Sequence, residues 1–202
     1  MTLLPMALRL KRRQLGTLLA TATLAVALAP LNALAQTAAP KVRVTTSMGD
    51  IVLELYPDKA PKTVDNFLQY VRDKHYNDTI FHRVMDGFMI QGGGFTVDFE
   101  QKATRAPIPL EAQNGVKNDR GTIAMARTAN PNSATAQFFI NVVDNAMLNA
   151  PNPDGYGYTV FGKVIQGMDV VDKIKTVPVG NKGPHQNVPK TPITILKATL
   201  EK

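Results

Sequence analysis

The chain has 202 residues, the length of one ordinary domain with a short additional segment. Its formal net charge of +7 falls to +3 once residues 1–35 are set aside, because that segment holds four basic and no acidic residues. A modest charge of this kind, carried by scattered residues, gives no basis for nucleic-acid binding. The chain contains no cysteine, which excludes disulfides, so stability must come from a hydrophobic core.

Residues 1–35 have the pattern of a cleavable signal peptide. A basic start is followed by an apolar stretch at residues 15–29 and by the small-residue motif Ala33-Leu34-Ala35, and the basic residues are Arg9, Lys11, Arg12 and Arg13. Cleavage would leave Gln36 as the first residue. An uncleaved anchor is the alternative, although the apolar stretch is shorter than the roughly 20 residues of a membrane span. The pair Arg12-Arg13 weakly resembles a twin-arginine signal, so that route and the general secretory route both stay open.

After a linker at residues 36–40, the remaining domain at residues 41–202 begins with a β pattern. Apolar residues alternate on both sides of a turn at residues 48–50, which predicts two antiparallel strands containing Val42, Val44, Ile51, Leu53 and Leu55. Pro61 then begins a helix that ends near His75, in which helical spacing relates Val64, Phe67, Leu68 and Val71.

The rest of the domain is predicted to consist mostly of short strands. We expect a second helix at residues 169–175, long loops at 102–119 and 149–157, and strands at residues 80–85, 89–93, 122–127, 137–143, 158–164 and 193–200. Many short strands with two helices, and no regular alternation of strand and helix, predict a closed or nearly closed antiparallel β-barrel.

Several hydrolytic chemistries are disfavoured by the motifs that are missing. The three histidines, His75, His82 and His185, lack the spacing of metal ligands. No Gly-x-Ser-x-Gly motif occurs, and the carboxylates are scattered along the chain. The glycines at residues 92–94 are not followed by a helix that could bind phosphate.

The segment at residues 81–93 places Arg83 and Gln91 in a short apolar ribbon around the turn Asp86-Gly87. A guanidinium is permanently charged and donates hydrogen bonds without giving up a proton. An arginine in this setting indicates a site that binds and polarises a neutral group without transferring protons.

The turn length decides which residues of this hairpin share a face. A two-residue turn would place Arg83 opposite Ile90, whereas a three-residue loop places it opposite Gln91. We favour the second register, because it leaves Val84 and Ile90 for the core and keeps Gln91 out of it. This register also predicts that His82 points inward as a hydrogen-bonded core histidine and does not serve as a base.

Five segments occur in an order that resembles the cyclophilin family of peptidyl-prolyl cis–trans isomerases. They are Phe-His-Arg-Val at 81–84, Gly-Phe-Met-Ile-Gln-Gly-Gly at 87–93, Met-Ala at 125–126, Gln-Phe-Phe-Ile at 137–140 and Val-Phe-Gly-Lys-Val at 160–164. The similarity runs through most of residues 42–200. The resemblance implies a mainly β fold, a closed eight-stranded antiparallel barrel capped by two α-helices, with a cofactor-free site on the outer barrel face.

The resemblance also assigns roles to residues by position. Arg83 matches the catalytic arginine, and Phe88 and Gln91 complete the expected catalytic group. The residues expected to bind substrate are Met89, Ala126, Arg127, Gln137, Phe139, Met147, Leu148 and Tyr158.

Three of these positions depart from the common pattern of the family. Met147 stands where many members have Trp, Tyr158 where they have His, and Arg127 where Asn is common. The Trp indole N–H is a donor that Met lacks, which implies weaker cyclosporin binding. Arg127-Thr128 and the signal peptide resemble the periplasmic cyclophilins of Gram-negative bacteria.

The function implied is acceleration of rotation about Xaa-Pro bonds, which would assist the folding of exported proteins. We expect a periplasmic monomer that acts on proline-containing, unfolded or partly folded exported polypeptides. Neither nucleic-acid binding nor stable membrane association after signal cleavage is expected. One alternative is a cyclophilin-fold binding or holdase chaperone with incidental isomerase activity. A second is a barrel that carries a small apolar ligand in its lumen, which the many inward-facing apolar residues disfavour.

Overall fold

The structure is a computed structural model that describes residues 38–201. The predicted signal peptide and the start of the linker lie outside the described residues. Ten strands are present in this part of the chain: β1 Lys41–Thr46, β2 Gly49–Leu55, β3 Thr79–Met85, β4 Met89–Thr96, β5 Thr122–Met125, β6 Phe138–Asn141, β7 Val160–Gln166, β8 Val179–Lys182, β9 His185–Pro189 and β10 Thr194–Leu200.

Eight of the strands close into an antiparallel barrel in the order β1-β10-β3-β4-β6-β5-β7-β2, and β8 and β9 form a separate two-stranded sheet. Closure pairs every barrel strand on both sides, so no barrel edge is left open. The predicted fold class is therefore confirmed. Within residues 38–201, no helix combines the length and apolar character needed to cross a bilayer.

Apolar side chains fill the barrel interior. The alternation predicted for the first two strands is confirmed, since Val42, Ile51, Leu53 and Leu55 are fully buried in one cluster. Side chains from other strands complete this cluster, among them Phe81, Ile90, Ile123, Phe138, Phe161 and Ile195. The described side chains thus occupy the lumen, which gives no support to a carrier of apolar ligands.

Helix α1, at Pro61–Arg72, has proline at its start, and Ala60 before it provides no side-chain cap. Glu111 from the long loop replaces that cap: its carboxylate oxygens accept hydrogen bonds from the backbone N–H groups of Lys62, at 3.2 Å, and Thr63, at 2.9 Å. A carboxylate at this position satisfies free N–H groups, and its negative charge interacts favourably with the positive end of the helix dipole. The helix ends three residues before the predicted His75.

The second helix, α2, spans Met168–Lys175, close to its predicted range, and a short 3₁₀ helix spans Ala146–Leu148. Arg120, just before β5, fastens α2 to the barrel through two hydrogen bonds to the carboxylate of Asp172, at 3.0 and 2.8 Å. This pairing of a planar guanidinium with both carboxylate oxygens restrains orientation as well as distance.

The β3–β4 hairpin has the favoured three-residue register. Arg83 lies opposite Gln91, and Val84 lies opposite Ile90. Val84 and Ile90 are buried in the barrel core, at 1% and 0% exposure. The prediction that Arg83 and Gln91 share a face outside that core is confirmed.

A β-bulge at His82 was not predicted. Phe81 lies opposite Gly92 and Arg83 lies opposite Gln91, so two steps along β3 correspond to one step along β4. His82 is the extra residue. Because a bulge shifts the alternation of faces, Phe81 and Val84 both enter the barrel core although they are three positions apart.

The prediction for His82 was right about burial and wrong about its surroundings. The side chain is buried, but its ring packs edge-on against Phe95, with 4.8 Å between centroids, and its Nδ1 has no hydrogen-bond partner among residues 38–201. The ring of Phe95 also packs against His185 of β9, at 5.2 Å. His82 therefore belongs to an aromatic group beside the β8–β9 hairpin.

The β8–β9 hairpin itself was not predicted from the sequence. Its residues are mostly half-buried or exposed, with only Val188 and Pro189 buried, so it lacks a strong alternating pattern. Strand β9 packs against β3. The hairpin owes its position to this tertiary contact.

We predict that His82 makes stability depend on pH. Burial, with smaller contributions from His185 and Arg83, lowers the pKa of His82 from 6.5 to about 4. Between these values the unfolded chain binds a proton that the folded protein does not, so stability is lost as pH falls through that window. The stability advantage of wild type over His82→Gln should shrink by about 2 kcal/mol between about pH 7 and about pH 4.5.

Urea unfolding of both proteins at each pH measures this difference. Groups that titrate equally in the two proteins, including His75, cancel in the subtraction. A difference that stays constant with pH would show that His82 is protonated as easily in the folded protein as in the unfolded chain.

Candidate active site

A cleft on the outer barrel face, here called the outer cleft, brings together side chains from distant parts of the chain. It is lined by Arg83, Phe88, Met89, Gln91, Ala126, Arg127, Phe139, Leu148 and Tyr158. All nine are among the site residues expected from the sequence. Gln137 does not line the cleft but is hydrogen-bonded to Gln91, which does. Met147 precedes the lining residue Leu148 in the sequence and does not line the cleft itself.

The apolar part of the outer cleft is a second hydrophobic cluster, distinct from the barrel core. Met89, Phe139 and Leu148 are its large members, with 2%, 4% and 7% of their surfaces exposed. Strand alternation explains the division, because Ile90 and Ile140, each next in sequence to a cleft residue, point into the barrel. The cluster is thus the outer face of strands whose inner face forms the core.

Arg83 provides the charge at this apolar surface. Its guanidinium carbon lies 6.0 Å from the centroid of the Phe88 ring, and across the hairpin Arg83 is paired with Gln91. Among residues 38–201, Arg83 takes part in no salt bridge, in contrast to Arg43, Arg105, Arg120 and Arg127. The Arg83 guanidinium therefore keeps its donors available for a ligand.

Gln91 and Gln137 join two neighbouring strands by their side chains. The Gln91 Nε2 donates to the Gln137 Oε1 at 3.0 Å, and the backbone carbonyl of Gln137 accepts from the N–H of Ala126 at 3.0 Å. Gly94 leaves room for this contact, since a Cβ there would lie 2.5 Å from the Cγ of Gln137. A polar rim with both amide donors and acceptors thus borders the apolar surface.

Arg127 lines the outer cleft, but its charged end is bound within the protein. The guanidinium donates to the carbonyl of Gly157 at 2.8 and 3.0 Å, to the carbonyl of Thr128 at 3.0 Å and to Asp154 at 2.8 Å. It lies over the Tyr158 ring, 4.4 Å from the centroid. Only 1% of the side chain is exposed, so Arg127 tethers the 149–157 loop and its charge is not free for substrate.

Two further predicted residues have different environments. Tyr158 packs its ring edge-on against Phe139, with 5.7 Å between centroids, and so extends the apolar wall. Met147 is 61% exposed on the 3₁₀ helix, beside the buried Leu148. A flexible thioether therefore stands exposed beside a residue that lines the cleft, and is not itself part of the lining.

The polar residues behind the outer cleft were not predicted from the sequence. Asn118, Asn141 and Asn145 are almost completely buried, and Asn145 donates to the backbone of Phe88. The available signal was weak: in the predicted strand 137–143, alternation places Asn141 on the outer face, where a polar residue is ordinary. Burial of that position depends on loops that the local pattern does not reveal.

Comparison with known proteins identifies the class to which this fold and site belong. Residues 41–200 match the family model for cyclophilin type peptidyl-prolyl cis-trans isomerases. The chain belongs to this family and is a peptidyl-prolyl cis–trans isomerase.

Individual relatives agree with this assignment. The chain is 58% identical over 160 residues to a peptidyl-prolyl cis-trans isomerase of Acinetobacter baylyi, covering 79% of this chain and 85% of that protein. It is 60% identical over 157 residues to peptidyl-prolyl cis-trans isomerase B of Escherichia coli, covering 77% and 96%.

Solved structures share the architecture. A cyclophilin type isomerase of Cryptosporidium parvum superimposes with a TM-score of 0.67 at 29% identity, over 81% of this chain and 98% of that one. Its structure in the presence of the dipeptide Ala-Pro gives a TM-score of 0.66 at 30% identity, covering 80% and 99%.

We predict that Arg127→Ala frees the 149–157 loop. The substitution removes the hydrogen bonds to Gly157 and Asp154, and it should lower the free energy of unfolding by about 1–3 kcal/mol. Limited proteolysis should then cleave this loop faster than in wild type. The matched control is Arg105→Ala, which removes an exposed salt bridge to Asp73 at 3.4 Å and should change stability by about 0.5 kcal/mol or less. If the loop is cleaved at the same rate in Arg127→Ala and in wild type, Arg127 does not hold the loop in place.

Proposed function

We propose that the outer cleft binds the proline of a substrate and that Arg83 catalyses its isomerisation. The observation that carries the proposal is the position of Arg83, paired with Gln91 beside an apolar surface and engaged in no salt bridge among the described residues. Its donors can therefore act on a neutral group held against that surface.

The chemistry explains why a permanently charged donor suits this role. Resonance makes rotation about an amide cost roughly 18–20 kcal/mol. In the twisted transition state the proline nitrogen becomes pyramidal and carries a lone pair, which a fixed N–H donor stabilises more than it stabilises the planar ground state. Arg83 can donate without changing its protonation state. The proposed mechanism involves no proton transfer and no cofactor.

The apolar cluster is the proposed seat of the proline ring. Met89, Phe139 and Leu148 are buried in the free protein, and Phe88 and Tyr158 pack around them. A ring enclosed on these sides is held while the adjoining peptide turns. The Cryptosporidium parvum structure in the presence of Ala-Pro supports a prolyl ligand for a protein of this architecture.

The polar rim is proposed to hold the substrate backbone. Gln91 and Gln137 place amide groups at one side of the cleft. Ala126, the residue that follows β5, lines the cleft and is proposed to lie alongside the substrate backbone. Phe88 and Gln91 thereby complete the catalytic group with Arg83. Met147, at the margin, would contact a residue that flanks the proline, while Arg127 acts through the loop that it tethers.

The test is Arg83→Ala. Loss of one transition-state donor should lower turnover of a Xaa-Pro peptide by about 10²–10³-fold. Arg83 is half-buried and forms no salt bridge within residues 38–201, so the variant should keep the wild-type circular dichroism spectrum and melting temperature. Arg105→Ala serves as the matched arginine control and should retain full turnover. Wild-type turnover in Arg83→Ala would refute the catalytic assignment.

An aggregation assay on the same proteins addresses the holdase alternative. If Arg83→Ala loses turnover and still suppresses aggregation of an unfolded client, binding and isomerisation are separate properties of the molecule. If both are lost together, substrate contact in the outer cleft accounts for both.

We also propose that the isomerase acts outside the cytoplasm. The support is the signal-peptide pattern of residues 1–35 and the start of the family match at residue 41, after the linker. On this proposal residues 41–202 form the mature isomerase domain of a periplasmic monomer. Its clients are unfolded or partly folded exported polypeptides that contain proline, and it needs neither nucleic acid nor a membrane anchor.

Expression of the full chain in a Gram-negative host tests this location. The protein should appear in the periplasmic extract with Gln36 as its first residue, by N-terminal sequencing. Ala33→Arg should block processing, because the cleavage motif requires a small residue there, whereas the control Leu34→Arg should still be cleaved. Joint substitution of Arg12 and Arg13 by Lys distinguishes the two export routes, because it should stop export by the twin-arginine route and leave export by the general secretory route unchanged. Full-length protein confined to the cytoplasmic fraction would contradict the proposal.

A further inference from the structure

Three asparagine side chains lie behind the outer cleft without lining it. Asn118 and Asn141 are 0% exposed and Asn145 is 1% exposed. Together they form a connected group, here called the asparagine network. A buried amide destabilises the fold unless hydrogen bonds satisfy it. Three buried amides in contact must therefore hold one another in well-defined positions.

One end of the asparagine network holds the backbone of Phe88. The Asn145 Nδ2 donates to the Phe88 carbonyl at 2.8 Å. The backbone N–H of Val142 donates to the same carbonyl at 3.1 Å. The chain at Phe88, directly after the β3–β4 turn, is thereby fixed by two donors.

The middle of the network passes the hydrogen bonds from one side chain to the next. The Asn145 Nδ2 also donates to the Asn141 Oδ1 at 2.7 Å. The Asn141 Nδ2 donates in turn to the Asn118 Oδ1 at 3.2 Å and to the Thr122 Oγ1 at 2.9 Å. The Asn141 amide accepts from Asn145 and donates to Asn118, so it links the other two side chains and a shift of either one alters it.

The other end holds the backbone of Leu148. The Asn118 Nδ2 donates to the Leu148 carbonyl at 3.2 Å, and the N–H of Tyr158 donates to the same oxygen at 3.0 Å. The backbone N–H of Asn118 donates to the Asn149 Oδ1 at 2.7 Å. The 3₁₀ helix that carries Leu148 is thus attached to the same network as Phe88.

We propose that Asn118, Asn141 and Asn145 are positioning residues that set the separation of Phe88 and Leu148. These two cleft residues come from segments 60 positions apart, and the network is a continuous hydrogen-bonded path between their carbonyls. The inference rests on the proposed role of the outer cleft as the seat of the proline ring. It adds that the width of that seat is controlled from behind, by groups that never touch substrate.

The kinetic consequence follows from what the seat does. The proline ring is held in the planar and the twisted states alike, so a wider seat weakens binding of both. Loss of such uniform binding raises KM and leaves kcat nearly unchanged. A purely structural role predicts the opposite, because partial unfolding lowers the concentration of active enzyme and cannot raise KM.

The experiment measures kcat and KM on a Xaa-Pro peptide for wild type, Asn145→Ala, Asn118→Ala and the double variant. Each single substitution should raise KM about fivefold, with kcat within about twofold. The double variant should be no worse than the stronger single one, because either substitution breaks the same path. The matched control is Thr46→Val on β1. Thr46 is 4% exposed and its hydroxyl donates to the Gly49 carbonyl, so the variant loses a buried polar group away from the cleft and should keep the wild-type KM.

Nuclear magnetic resonance adds a readout that local damage would not produce. In Asn118→Ala the ring resonances of Phe88 should shift, because the Asn118 side chain is connected to the Phe88 carbonyl through the side chains of Asn141 and Asn145. The backbone carbonyl of Asn118 accepts from the Asn145 N–H at 2.8 Å, and the substitution leaves that bond in place. Unshifted Phe88 resonances, or a double variant whose KM rise is the product of the two single rises, would overturn the inference.

Failure of the inference and failure of the proposed function give different results. If Arg83→Ala is as active as wild type, the site assignment falls. If Arg83→Ala loses turnover while Asn145→Ala keeps the wild-type KM, the site stands and the positioning role is refuted. Should the alanine variants not fold, titration of wild type with the peptide decides: the side-chain amide resonances of Asn118 should shift on binding, and their constancy would refute the role.

Discussion

The alternation of side chains along paired strands is the constraint on which the rest of this structure depends. Because neighbouring residues point to opposite faces, each strand of the closed barrel supplies the core and the outer surface at once. Ile90 and Ile140 fill the interior, while Met89 and Phe139 next to them build the outer cleft. The site therefore stands on strands held rigid by the core, which is how a fixed donor such as Arg83 can be kept in place.

Catalysis of a rotation makes unusual demands on such a surface. No proton has to move, so the proposed site needs one fixed donor, an apolar seat and a rim that holds the backbone. The arginines show how surroundings divide similar side chains between roles. Arg127 donates to Asp154 and Gly157 within the protein, whereas Arg83 forms no salt bridge among the described residues and is the donor that the proposed mechanism uses.

Much of this architecture could be predicted from local patterns. Apolar alternation located the first strands and Pro61 marked the start of α1. Keeping Gln91 out of the core selected the register that pairs it with Arg83. The shift of His82 into a bulge could not be foreseen, because both a regular and a bulged strand are compatible with those residues. The β8–β9 hairpin escaped for a related reason, since it is stabilised by packing on β3 more than by its own pattern.

The sequence by itself determined the order of the barrel strands and the two α-helices, the family and the residue types of the site, because these depend on spacing along the chain and on side-chain chemistry. Only the tertiary structure decided which polar groups are buried. Arg127 lines the cleft while its guanidinium is bound to the 149–157 loop, and Asn118, Asn141 and Asn145 join behind the cleft, because loops distant in sequence cover these groups. Burial of this kind depends on all neighbours in space, whereas alternation depends only on neighbours along the strand.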